Sequence, residues 1–215
     1  MKEIIIRVYH YDELNEDAQA KAREEFNDID YSWEEDNRKT LERFCEVFPV
    51  KVKKYEYGYG GKYVSWLFNN DVTDEQGELS GKRLISFIWN NYGSSLLTNK
   101  TYYFPRPQPG SKERTSRIIK YNSCPLTGYY MDEEILSPVY EVLAGKRMNQ
   151  TFEEVIDACL ESWLNACEED FENYYSEEGI KEIILSNDYE FTEEGRLWKW
   201  DGILYDSMGI KSKIK

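Results

Sequence analysis

A single histidine, His10, is the only imidazole in the chain. Any Ser-His-Asp or Cys-His machinery would have to be built on it, and no G-x-S-x-G elbow accompanies it. An ordinary, partly buried histidine at the end of a strand is the expected reading. The four cysteines, Cys45, Cys124, Cys159 and Cys167, form no C-x-x-C pair. Zinc centres draw several His or Cys ligands from short spacings, so no metal site is expected. Cys159 and Cys167 fall on the apolar side of one helical pattern, which suits buried thiols in a reducing cytosol. No P-loop and no G-x-G-x-x-G occurs, so no nucleotide or other cofactor is expected.

Carboxylates are the abundant chemistry, 41 Asp and Glu against 27 Lys and Arg. Asp28-Ile29-Asp30-Tyr31-Ser32 resembles the opening of a calcium loop. Trp33 stands where that loop needs glycine, however, and Lys39 where it needs the bidentate glutamate. A pair of acids near Trp and Tyr could serve a glycosidase, yet nothing singles out one pair. A carboxylate-based hydrolase therefore stays a distant alternative, and the expectation is a protein that is not an enzyme.

The distribution of charge is more informative. Residues 151–195 hold 15 acids and one lysine, and residues 11–46 hold 13 acids and five bases. The remainder is net positive, concentrated at 51–62, at 100–120 and in the C-terminal tail. Two acidic helical regions and a basic middle give a bipolar field that repels nucleic acid over much of the surface and attracts basic partners. Glu153, Asp157, Glu161, Glu168, Glu169 and Glu172 are the candidate partner-binding residues. A ratio of 15 to one exceeds what solubility needs. The opposite reading rests on the basic hairpin 51–66, where Lys51, Lys53, Lys54 and Lys62 lie among Tyr55, Tyr57, Tyr59 and Tyr63. Lysines over tyrosine platforms suit single-stranded nucleic acid, although lysine also protects an exposed sheet edge from aggregation.

The elements that position these residues follow from periodicity. Residues 3–9 read as a strand. Asn15 caps a helix whose Leu14, Ala18, Ala22 and Phe26 recur every four residues. Ser32-Trp33-Glu34-Glu35 reads as a capping box for a second helix, which Pro49 ends after about Val47. Residues 50–59 and 62–68 flank Gly60-Gly61 as a hairpin. Residues 84–92 fit a strand or a buried helix. Residues 103–111 are an irregular proline-rich loop, 117–121 a short strand, and 131–144 a helix in which Pro138 is expected at a kink or in the first turn.

Residues 151–176 carry the strongest pattern, an apolar face from Phe152 to Tyr175 with Trp163 and Leu164 at its centre. Thr151 caps this helix. A helix over 177–187 follows, and a terminal hairpin turns at Glu194-Gly195. These elements predict an α+β fold: an antiparallel sheet, including residues 3–9, packed against the long C-terminal helix and an N-terminal helix pair. The expected organisation is a single domain over 1–215, with room for an inserted lobe around 60–150. No run of 18 apolar residues is present, so no membrane involvement is expected, and the N-terminus reads as a strand rather than a signal peptide.

Three motifs near the N-terminus resemble a family of small proteins encoded by bacteriophages and prophages: Tyr11-Asp12-Glu13-Leu14, Ala18-Gln19-Ala20-Lys21-Ala22 and Asp28-Ile29-Asp30-Tyr31-Ser32-Trp33. Phe171-Glu172-Asn173-Tyr174-Tyr175 and the stretch Asn187-Asp188-Tyr189-Glu190-Phe191-Thr192-Glu193-Glu194-Gly195 are similar to that family's C-terminal part. The resemblance covers under half the chain and carries over no catalytic residue. It implies a mobile-element product in bacterial cytoplasm, of a kind that counters host defences such as CRISPR or restriction systems. The expected partner is a basic, nucleic-acid-handling host protein, inhibited through the acidic helix face. A nucleic-acid-binding module using the 51–66 hairpin is the alternative.

Overall fold

The computed structural model describes residues 7–26, 29–69, 72–96 and 124–198, together with the backbone of 203–205 and 211–213. The elements in chain order are β1 (Tyr9–His10), a 3-10 turn at Tyr11–Glu13, α1 (Glu16–Glu24), α2 (Glu34–Val47), β2 (Val50–Glu56) and β3 (Tyr63–Phe68). They continue with α3 (Asp74–Gly77), α4 (Gly81–Leu96), α5 (Met131–Leu143), α6 (Phe152–Tyr174), α7 (Glu177–Ser186) and β4 (Glu190–Phe191). Two short strands, β5 (Ile203–Tyr205) and β6 (Lys211–Lys213), pair with each other. The fold is α+β, with helices predominating over short antiparallel pairs. None of the described helices is long and apolar enough to cross a membrane.

The chain divides into two compact units, residues 32–169 and residues 1–31 with 170–215. In the larger unit, α6 buries Phe152, Val155, Ile156, Cys159, Leu160, Trp163, Leu164 and Cys167. These join Leu41 and Phe44 of α2, Leu84 and Ile88 of α4, and Ile135, Leu136 and Val139 of α5 in one core. The Thr151 hydroxyl accepts from the Glu154 amide at 3.2 Å while the Glu154 carboxylate accepts from the Thr151 amide at 2.8 Å. That reciprocal capping box holds the first turn. The Trp163 indole N–H donates to the Asn37 carbonyl at 3.2 Å. Tyr55 of β2 and Tyr57, just past its end, meet the indole edge-on, with centroids at 5.1 and 6.1 Å.

Several sequence expectations need correction here. Among the described residues, the sheet whose residues join the α6 core is the β2–β3 hairpin. Of the expected strand over residues 3–9, residues 3–6 lie outside the described residues, residues 7 and 8 are not extended into a strand, and Tyr9–His10 pairs with β4. Ser32 does not cap α2. The chain enters the helix one residue later, with Trp33 already in the right-handed helical region at φ −94° and ψ −2° and no side-chain cap. The Trp33 ring instead stacks on Tyr129 at 6.0 Å. Residues 84–92 are helical, part of α4, because Leu84, Ile88 and Leu96 recur on one buried side. Pro138 lies inside α5 and is buried. The expected loop 103–111 and strand 117–121 lie outside the described residues.

The smaller unit has its own core of Tyr11, Leu14, Ala18, Ala22, Phe26, Ile180, Ile184 and Phe191. Asn15 caps α1 by accepting from the Ala18 amide at 2.9 Å, and Ser176 caps α7 by accepting from the Gly179 amide at 3.0 Å. Both are the expected side-chain answer to unpaired first-turn amides. Tyr9 pairs with Phe191, and Phe191 bridges to Leu197 across the turn containing Gly195. Gly195 has φ +82°, and a Cβ there would collide with the Ala18 carbonyl oxygen. Glycine is therefore required twice over, for backbone conformation and for close approach.

Candidate functional site

α6 runs for 23 residues without a lysine or arginine. Its buried side leaves an outer side on which Glu153, Asp157, Glu161 and Glu169 are exposed and Glu168 is half-buried. Glu172, also exposed, lies on the part of α6 that belongs to the smaller unit. From Glu153 to Glu169 the helix rises about 24 Å at 1.5 Å per residue.

The β2–β3 hairpin draws on two of these acids. Asp157 accepts from the Trp66 indole N–H at 2.9 Å. Glu168 forms an ion pair with Lys62 at the hairpin turn. The contact with Trp66 leaves the Asp157 charge in place, because the indole is neutral. The contact with Lys62 neutralises Glu168. The remaining negative charge on this surface is that of Glu153, Glu154, Asp157, Glu161 and Glu169. Two sets of candidate residues that the sequence offered as rivals, the acidic helix and the basic hairpin, thus meet in one structure.

The tyrosines of the hairpin do not form one platform. Tyr55 and Tyr57 are half-buried against Trp163, and burial pushes both hydroxyls above the usual tyrosine range. Tyr59 at the turn is 88% exposed, and Tyr63 is 38% exposed. Lys51, Lys53 and Lys54 project from β2 on the side away from the core, and all three are exposed. A bulge between Val52 and Lys54 breaks the alternation, which puts Lys53 and Lys54 on the same side. The Lys54 ammonium sits 5.2 Å from the Tyr63 ring centroid, and the hydrogen bond to the Tyr63 hydroxyl raises its pKa. The basic residues of 100–120 lie outside the described residues.

His10 is exposed and not partly buried. Its Nδ1 lies 3.3 Å from the Asp188 carboxylate, with the two side chains 54% and 86% exposed. A two-residue strand at the surface has too little around it to cover an imidazole. All four cysteines carry thiols rather than disulfides. Burial raises the Cys159 thiol far above its usual range and raises Cys45 as well. Asp28, the first residue of the calcium-loop resemblance, lies outside the described residues.

One site that sequence reasoning missed is Asp132, fully buried at the start of α5. Its carboxylate accepts from the backbone amides of Leu126, Thr127 and Gly128 at 2.8, 2.7 and 3.0 Å. It also accepts from the Thr127 hydroxyl at 2.7 Å and from Thr40 at 3.4 Å. These contacts fold residues 126–128 around one buried charge, a structural latch whose only sequence signal was an acid beside a Thr-Gly turn. No family model matches the sequence, and no curated protein or solved structure is significantly similar to it.

Proposed function

We propose that this protein acts by binding, and that the outer side of α6 within residues 152–169 engages a basic groove on a nucleic-acid-handling protein. The observation that carries this reading is a continuous helix with one side wholly buried and the other bearing only negative charge. A groove that neutralises phosphates also accepts carboxylates held at fixed spacing. The span of about 24 Å matches about seven phosphates along one strand of a duplex. The resemblance to phage and prophage proteins supports a setting for the reading: a mobile-element accessory protein that inhibits a CRISPR- or restriction-type defence protein in a bacterial host.

The competing hairpin reading is weakened by geometry, since Tyr55 and Tyr57 are half-buried and already packed edge-on with Trp163. The test is capture from bacterial lysate with the wild-type chain and with a triple variant, Glu153→Gln, Glu161→Gln and Glu169→Gln. Quantitative mass spectrometry should show basic nucleic-acid-binding proteins enriched by the wild type and depleted with the variant. Equal capture by both would make this surface an ordinary solvated one.

A further inference from the structure

We infer that the cleft between α2 and β2 is a docking groove for an extended acidic peptide. The cleft has a volume of about 700 Å³ and lies wholly within the larger unit. Leu41, Cys45, Val50, Val52 and Tyr55 line its apolar part. It follows β2 along consecutive residues from Val50 to Tyr55, a run of about 17 Å at the rise of a strand. Among the described residues β2 pairs only with β3. Across the cleft the Cys45 thiol takes a hydrogen bond from the Val52 backbone, so α2 approaches β2 on the side that lacks a paired strand among the described residues. The edge that a third strand would normally cover therefore faces this cleft, the arrangement that extended peptides exploit.

Charge selects the occupant. Lys51, Lys53 and Lys54 line the β2 side of the cleft. Lys51 and Lys53 have no acidic partner among the described residues. The charged residues on the α2 side are already matched, Arg38 with Glu42 and Arg43 with Glu46. Three lysines beside an apolar strip fit a chain that alternates apolar and acidic residues, because successive side chains of an extended peptide point to opposite sides. Nucleic acid fits less well: Tyr55 is the only aromatic side chain lining the cleft, and its ring already packs edge-on against Trp163. The chain's own residues 97–123 carry six cations and one acid, the wrong sign for this rim.

The test uses the full chain and a short fluorescein-labelled peptide of alternating valine and glutamate, read by anisotropy. The valine–glutamate peptide should bind, and one of alternating valine and lysine should not. Lys51→Glu with Lys53→Glu should weaken binding about tenfold, since each exposed ion pair contributes modestly and reversal adds repulsion. Bound peptide should also slow alkylation of Cys45, which lines the cleft. The inference is overturned by equal affinity for both peptides, by binding that leaves Cys45 alkylation unchanged, or by an unaltered affinity in the folded double variant. Tighter binding of a single-stranded oligonucleotide at the same lysines would overturn it in favour of nucleic acid. Because Glu153, Glu161 and Glu169 play no part in this experiment, its outcome is separate from that of the α6 reading.

Discussion

Replacing Trp163 with alanine is the sharpest perturbation of the scaffold that presents the acidic side of α6. The indole is completely buried, and its N–H donates to the Asn37 carbonyl at 3.2 Å. Removing it leaves a cavity among Tyr55, Tyr57 and the α6 stripe, and such truncations cost about 3–5 kcal/mol. The hydrogen bond contributes about 1 kcal/mol within that range, and each edge-on aromatic pair about 0.5–1.5 kcal/mol. Trp163→Phe retains a ring against Tyr55 and loses the N–H, so its cost should fall to about 1–2 kcal/mol. Urea titration followed by far-UV circular dichroism measures both, with an unchanged slope marking a genuine stability change. An alanine variant within about 1 kcal/mol of wild type would refute the reasoning, because no fully packed tryptophan is lost so cheaply.

Asp132→Ala should destabilise the protein by about 2–3 kcal/mol, since it removes the buried carboxylate that accepts from the amides of Leu126, Thr127 and Gly128. A thermal melt that is unchanged would show that residues 126–128 do not need the latch. Gly195→Ala should cost about 2 kcal/mol or more, from the positive φ together with collision against the Ala18 carbonyl. Hydrogen exchange at Phe191 and Leu197 would localise the damage. At pH 8, Cys159 and Cys167 should react with a thiol reagent far more slowly than Cys45 and Cys124, because both are fully buried and burial holds Cys159 as the unreactive thiol. The fold should survive strong reductant unchanged, and loss of circular dichroism on reduction would contradict the thiol state of all four cysteines.

Local signals were readable because they depend on neighbours a few residues apart. The α1 stripe of Leu14, Ala18, Ala22 and Phe26 is buried throughout, and the α6 stripe is buried from Phe152 to Cys167. The caps at Asn15, Thr151 and Ser176 use side chains that suit the task. Ser32 misled because a capping sequence competes with the local packing of the next residue, and the Trp33–Tyr129 stack is a partner 96 positions away. The pairing of Tyr9 with Phe191 is more remote still and left no trace in either segment. The candidate site was legible as charge but not as geometry. Periodicity put Glu168 and Asp157 in a row, yet only the fold brings Lys62 and Trp66 to them. Likewise, alternation identified the hairpin but could not show that Tyr55 and Tyr57 turn toward Trp163 while the lysines turn away.

The central claim is that α6 carboxylates take the place of phosphates in a partner's groove. The most direct measurement is the affinity of a captured basic partner for this protein in rising concentrations of the partner's own nucleic acid, at two salt concentrations. Competition should be strict, and binding should weaken at higher salt as the exposed charges are screened. The Glu153→Gln, Glu161→Gln, Glu169→Gln variant should bind more weakly and show a shallower salt dependence. A ternary complex of partner, nucleic acid and this protein, with the variant binding as tightly as wild type, would contradict it.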